Sequence, residues 1–249
     1  MTKKRVLLCV IYMVMAAFCG ASEDLAKPAA TELSPGVWGV LASPIHVDSC
    51  PGVILLHGAS GWRPMLADLA AVMADSGFVV LALDYYADAG ATPIGSARRE
   101  KWPAYQEAVR RAVAYIKSLP KVCGRPIGLV GFSRGAFLAV SVSSSLPSVG
   151  AVVDFYGGGG AGERSVEEEA KGLPPILILH GDADRIVPVR FAQALKEAVV
   201  SAGGEVEMHI YPSARHAFNV PFTQVYSGEA AEDSYRRTME FLARKLRAK

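Results

Sequence analysis

From Val53 onward, short unbroken apolar runs alternate with longer stretches that are apolar on one side only. Val53-Ile54-Leu55-Leu56 reads as a buried strand, and Pro64 to Ser76 as a helix with Leu66, Leu69 and Met73 on one face and Gly77 as its stop. Phe78 to Leu83 is the next strand. Tyr105, Val109, Val113 and Ile116 mark a long amphipathic helix ended by Pro120. Ile127 to Val130 is a strand and Ala136 to Val140 the first turns of a helix. Val149 to Phe155 and Ile176 to Leu179 are further strands, and Phe191, Leu195 and Val199 a helical face. Val206, Met208 and Ile210 alternate in a last strand, before a helix from about Glu232 to Leu246 that turns Met239, Leu242 and Leu246 inward. Val37 to Val47, broken by Pro44, reads as an edge hairpin. Continuous apolar strands alternating with helices predict an α/β domain, its mostly parallel sheet covered on both faces. Ligands bind such sheets at the carboxyl ends of the strands.

The segment before this pattern is different. Thr2-Lys3-Lys4-Arg5 is a basic start, Val6 to Phe18 an apolar run, and Cys19-Gly20-Ala21 a set of small residues. This predicts a signal peptide over 1–21, cleaved before Ser22, and an exported protein, periplasmic or secreted. The apolar run is short for a span of about 20 residues, so no stable membrane span is expected after cleavage. Residues 22–35 read as a flexible leader and 36–249 as one domain. Cleavage takes three cations and no acid from the 26 basic and 24 acidic residues, leaving 23 against 24. A near-neutral chain without a basic block is not expected to bind nucleic acid or anionic membrane. Of four cysteines, Cys50 and Cys123 remain. They fall at the non-catalytic ends of two strands expected to be parallel neighbours, where a disulfide is one expectation and two free thiols the other.

The chemistry centres on Gly131-Phe132-Ser133-Arg134-Gly135, which lies between a strand and a helix. Strand, Gly-x-Ser-x-Gly, helix is the nucleophile elbow: the turn is sharp, the serine backbone is strained, and the glycines leave room for neighbours. A base must take the serine proton, and His216, in the loop after the last strand, is the candidate. His209 faces away from the core, His46 lies near the hairpin, and His57 and His180 end strands, where structural roles are common. An acid must orient the imidazole. His180-Gly181-Asp182-Ala183-Asp184 offers two carboxylates, of which Asp184 is the choice and Asp182 a loop-capping residue. The oxyanion hole needs backbone N–H donors, expected from Arg134 and from Ala59, with Ser60 next. Ser60, Trp62, Tyr86 and Arg215 are candidate substrate contacts. Arg134, Arg185 and Arg215 suggest some tolerance for acidic substrates, although solvent-facing or paired side chains are the simpler reading.

Gly157 to Gly162 satisfies G-x-G-x-x-G, but Glu163, Glu167, Glu168 and Glu169 follow it and would repel a pyrophosphate. It reads as a flexible loop beside the active site. No Cys/His spacing suggests zinc, and no cofactor is expected.

Taken in order, His57-Gly58, Asp84-Tyr85-Tyr86, the Ser133 pentapeptide, His180 to Asp184 with Val187-Pro188, and Arg215-His216-Ala217-Phe218 resemble the dienelactone hydrolase family of α/β-hydrolases. The resemblance implies the α/β-hydrolase fold with Ser133, Asp184 and His216 as a catalytic triad, acting on a small-molecule ester or lactone. Members that open dienelactones characteristically use a cysteine nucleophile and a glutamate near the oxyanion strand. This chain has Ser133 and His57-Gly58 there, which favours a serine carboxylic-ester hydrolase. A lactone hydrolase, a thioesterase or peptidase on the same triad, or a catalytically silent binding protein, are the alternatives.

Overall fold

The computed structural model describes residues 29–45, 47–88, 101–122 and 124–247. The expected signal peptide, His46 and Cys123 lie outside them. Among the described residues the strands are β1 (Thr31–Ser34), β2 (Val37–Ala42), β3 (Gly52–Leu56), β4 (Val79–Leu83), β5 (Ile127–Phe132), β6 (Val149–Phe155), β7 (Ile176–Gly181) and β8 (Val206–Tyr211). The helices are α1 (Met65–Asp75), α2 (Tyr85–Asp88), α3 (Trp102–Ser118), α4 (Arg134–Ser143), α5 (Val166–Ala170), α6 (Arg190–Ser201) and α7 (Gly228–Arg247). No helix of the described residues is long and apolar enough to cross a membrane.

One sheet contains all eight strands in the order β1-β2-β4-β3-β5-β6-β7-β8. β1 and β2 pair antiparallel and β2 joins β4 antiparallel, while every pair from β4 to β8 is parallel. Because side chains alternate across a strand, each apolar run feeds two cores. Ile54, Leu56, Leu81, Leu129 and Ile178 face α3, α4 and α6. Val53, Leu55, Val80, Val130 and Leu179 face α1 and α7. Two buried faces explain why these strands read as continuous rather than alternating hydrophobics.

Thr31–Ser34, expected within the flexible leader, instead forms β1, the edge strand of the sheet. The hairpin turns at Pro35-Gly36, earlier than Pro44 suggested, with Gly36 at φ 71°. Parallel pairing of Gly52 with Ile127 makes β3 and β5 neighbours, as the cysteine argument required. Cys50 is 2% exposed, and its N–H reaches the carbonyl of Lys121 at 2.9 Å.

Candidate active site

Ser133 occupies the tight turn between β5 and α4 with φ 54° and ψ −116°, backbone angles that cost energy in a residue with a Cβ. Its N–H bonds the carbonyl of Phe155 on β6 at 2.9 Å, and its carbonyl accepts the N–H of Ala136 at 2.9 Å. Both flanking glycines are dictated by contact. A Cβ on Gly131 would lie 2.3 Å from the Gly135 carbonyl oxygen, and one on Gly135 would lie 2.2 Å from that of Leu56. The sharp turn therefore survives only with hydrogen at both places, and it lifts the hydroxyl off the carboxyl end of the sheet.

His216 reaches that hydroxyl from the loop after β8. Its Nε2 lies 3.0 Å from Ser133 Oγ, and its Nδ1 lies 2.7 Å from Asp184 Oδ2. The loop is drawn in by β7, where a Cβ on Gly181 would stand 2.1 Å from the Ala214 carbonyl oxygen. The two carboxylates divide the work. Asp182 accepts the Ser213 N–H at 2.6 Å and so ties down the loop that carries His216. Asp184 faces the imidazole. Its other oxygen accepts the N–H groups of Ile186 and Val187 at 2.8 and 2.9 Å. Burial works against the Asp184 charge, yet the His216 hydrogen bond and these two amides hold its carboxyl below the usual carboxylate range.

His180, fully buried at the end of β7, supports this acid. Its Nε2 lies 2.8 Å from the Val187 carbonyl, which can only accept, so Nε2 carries the hydrogen. Burial lowers its pKa, outweighing the Val187 carbonyl and Asp184, which both favour the cation.

The loop after β3 is held carbonyl by carbonyl. The Tyr85 hydroxyl donates to the His57 carbonyl at 2.8 Å. The Gly58 carbonyl accepts from His57 Nδ1 at 2.8 Å and from the Gly61 N–H at 3.1 Å. The Tyr86 hydroxyl donates to the Ala59 carbonyl at 3.2 Å and accepts from the Arg134 guanidinium at 2.7 Å. A trans peptide is planar, so holding each carbonyl turns the next residue's N–H the opposite way. The N–H directions of Gly58, Ala59 and Ser60 are thereby set. These residues line one cavity with Ser133, and a Cβ built on Gly58 would lie 3.5 Å from that of Ser133. The Arg134 N–H opens α4, where the first amides of a helix have no intrahelical acceptor.

That cavity has a volume of about 360 Å³. It runs from Ser133 and His216 between α1 and the start of α7, along Leu66, Leu69, Val220 and Tyr235. Ser60 lies on its wall, as expected, with its hydroxyl taking the Arg63 Nε–H at 3.2 Å. The other candidate contacts fall elsewhere. Trp62 is half-buried against the α1–α7 core. Tyr86 is 3% exposed among His57, Tyr85 and Tyr105, so it supports the loop after β3 and is not among the residues lining this cavity. Arg185 and Arg215 are exposed, and neither lines the cavity. Nor is the glycine stretch loose: Asp154 accepts the Gly157 N–H and Glu169 that of Gly160, each at 2.7 Å.

Some residues of the site had no signal of their own. Tyr156, at φ 44° after β6, sets its ring edge against His216 with centroids 4.8 Å apart. Its hydroxyl bonds buried Asn219, which in turn bonds Tyr235. Asn219, three residues after His216, was the most findable of the three.

The model of the dienelactone hydrolase family matches residues 37–246. A Synechocystis protein described as "Putative carboxymethylenebutenolidase" is 26% identical over 227 residues, covering 84% of this chain and 92% of that one. A Bradyrhizobium protein described as "Probable 2-oxo-3-(5-oxofuran-2-ylidene)propanoate lactonase" is 24% identical over 216 residues, covering 81% of this chain and 87% of that one. A Klebsiella pneumoniae crystal structure described as "Putative Dienelactone Hydrolase" superposes with a TM-score of 0.73 at 21% identity, covering 83% of this chain and 92% of that one. With its sheet order, its strand-turn-helix serine and this match along nearly the whole described chain, the protein belongs to the dienelactone hydrolase family of α/β-hydrolases.

Proposed function

We propose that the chain is a serine hydrolase that cleaves carboxylic esters through an acyl-enzyme on Ser133. The observation that carries this reading is the unbroken row Asp184–His216–Ser133, with contacts of 2.7 and 3.0 Å. In the reaction, Ser133 Oγ bonds to the ester carbonyl carbon while His216 Nε2 takes its proton. The carbonyl oxygen becomes an oxyanion facing the N–H groups of Arg134 and Ala59. Asp184 stays ionised and stabilises the imidazolium. Collapse of the intermediate breaks the bond to the alcohol oxygen, which receives the proton from His216. Water then attacks the acyl carbon, giving a proton to His216; the bond to Ser133 Oγ breaks, the acid leaves, and His216 returns that proton to Ser133 Oγ.

Lactones are the second substrate class. Their ring opening uses the same steps, and the Bradyrhizobium relative is described as a lactonase. A hydroxyl nucleophile without a neighbouring glutamate favours ordinary esters over dienelactones. Export is part of the proposal and rests on the basic, apolar and small-residue order of residues 1–21.

A fluorophosphonate probe tests the reading. It should label the wild type at Ser133 and leave Ser133→Ala unlabelled. A panel of p-nitrophenyl esters and lactones should show turnover that the variant lacks. An unlabelled, inactive wild type would indicate a silent binding protein instead.

A further inference from the structure

The cavity beside Ser133 has one polar feature that the proposed chemistry does not use. Tyr156 and Tyr235 both line it, and Asn219 joins their hydroxyls. The Tyr156 hydroxyl donates to Asn219 Oδ1 at 2.8 Å, and Asn219 Nδ2 donates to the Tyr235 oxygen at 3.1 Å. A carboxamide offers one accepting oxygen and one donating nitrogen. Whichever way Asn219 faces, one phenol donates to it and the other accepts from it. One phenolic hydrogen of the pair is therefore always left over. In this structure it belongs to Tyr235, on the cavity wall.

The surroundings select what can take that hydrogen. Leu66, Leu69, Phe132 and Val220, which line the same cavity, offer no side-chain acceptor. The Thr223 hydroxyl, also on the wall, gives its hydrogen to the Val220 carbonyl at 2.8 Å, and no hydrogen bond joins its oxygen to Tyr235. Arg63, on the exposed rim, is the one Lys, Arg, Asp or Glu among the lining residues. An ionised group placed deep among apolar walls would lose its hydration without a paired charge, whereas a neutral oxygen loses little and gains a hydrogen bond.

We propose that Tyr235 is a specificity residue, a hydrogen-bond donor for a neutral ether, hydroxyl or carbonyl oxygen on the part of an uncharged ester that occupies this cavity. This rests on the esterase reading. The preferred substrate thus carries a second oxygen beyond its scissile group. Tyr156 and Asn219 are positioning residues, because they consume the other polar atoms of the relay and leave Tyr235 as donor.

The test is a pair of ester series, p-nitrophenyl acyl esters and alkyl butyrates, in which one methylene is replaced by an ether oxygen at successive positions. Dividing the ether-to-alkyl ratio of kcat/KM in the wild type by that in Tyr235→Phe cancels intrinsic reactivity. At the position that meets the phenol, this quotient should be about 3 to 10. Tyr156→Phe should lower the preference similarly while Tyr235 is intact. The freed Asn219 oxygen then turns to Tyr235 and takes its hydrogen. Tyr156→Phe also carries the test if Tyr235→Phe does not fold. Quotients within twofold of one at every position in both series overturn the subsite. If the wild type hydrolyses no ester, matched anilides of pentanoic and 3-methoxypropanoic acid are titrated by NMR instead. Tighter binding of the ether anilide, lost in Tyr235→Phe, upholds the subsite while the esterase reading falls. Equal binding of both, or none, overturns the subsite.

Discussion

Two histidine–aspartate pairs flank Ser133 at the carboxyl end of the sheet, and they are built for opposite purposes. His216 meets Asp184 at 2.7 Å, with a side chain 17% exposed and its second nitrogen on the serine hydroxyl. His57 faces Asp84 at 3.4 Å, with a side chain 1% exposed, stacked on the Tyr85 ring at 3.9 Å. Its Nδ1 is spent on the Gly58 carbonyl. The residue types are the same. What differs is where the outer nitrogen points. An imidazole whose free nitrogen looks into the cavity can carry a proton to a substrate. One whose nitrogens are turned to Asp84 and to the Gly58 carbonyl is held in place, and here it fixes the Gly58–Ala59 peptide.

One substitution breaks the comparison most sharply when made at both histidines. The Asn side-chain nitrogen takes roughly the place of the imidazole Nδ1 and nothing takes that of Nε2. His216→Asn should therefore lower kcat/KM by on the order of 10⁴-fold or more, since the proton acceptor is gone. His57→Asn keeps a donor for the Gly58 carbonyl and should cost no more than about 10-fold. Steady-state rates on one p-nitrophenyl ester check both. Losses of similar size would mean that His57 also moves protons.

The partners rank the same way. Asp184→Asn should cost about 10⁴-fold, because an amide cannot hold the imidazole in its tautomer or balance its cation. Asp182→Asn keeps an oxygen for the Ser213 N–H, and Asp84→Asn one for the Tyr86 N–H now held at 3.1 Å. Both should stay within about 10-fold of wild type, as neutral hydrogen bonds replace charged ones. A severe Asp182→Asn beside a mild Asp184→Asn would reverse the assignment of the acid.

Only one of the two pairs was legible in the sequence. The order Ser133, Asp184, His216 along the chain and the apolar run before each turn placed one set at the strand ends. Gly181 was readable as a small residue, but its reason, contact with Ala214 across the sheet, was not. Tyr86 shows the limit. An aromatic just after a strand reads as a substrate contact, and what makes it interior is its packing against His57 from the end of β3 and Tyr105 from α3, at 4.5 and 5.2 Å. β1 was missed because a four-residue edge strand with two exposed side chains and only one apolar residue, Leu33, has no apolar period to betray it. The Tyr156–Asn219–Tyr235 relay joins residues from three separate parts of the fold, so no local pattern could announce it.

A smaller effect tests whether the second pair acts through the oxyanion loop. Tyr86→Phe deletes the bridge from the Arg134 guanidinium to the Ala59 carbonyl without changing the ring packing. It should lower kcat by about 3- to 10-fold and leave KM nearly unchanged, since the aim of Ala59 matters most once the oxyanion forms. A change in KM alone would place Tyr86 in ground-state binding.

The smallest effect on rate and the clearest on stability comes from a strand-end aspartate that has no histidine. Asp154, at 0% exposure on β6, accepts the Gly157 N–H through one oxygen, and its other oxygen has no partner among the described residues. Burial raises its pKa from 3.8 to about 7, and the Gly157 amide offsets only part of that. Asp184 is buried and Asp84 half-buried, yet their histidines help bring both carboxyls below the usual range. The sign of the consequence follows from linkage. Between about pH 4 and 7 the folded chain holds a proton on Asp154 that the unfolded chain has released, so stability falls as pH rises through this window, by on the order of a few kcal/mol. Asp154→Asn copies the protonated form. It should match wild type near pH 4, be more stable near pH 8, and hydrolyse esters at close to the wild-type rate. Denaturant midpoints of both proteins from pH 4 to 8 decide it. Parallel curves would mean that Asp154 is ionised throughout and that burial alone does not set its charge.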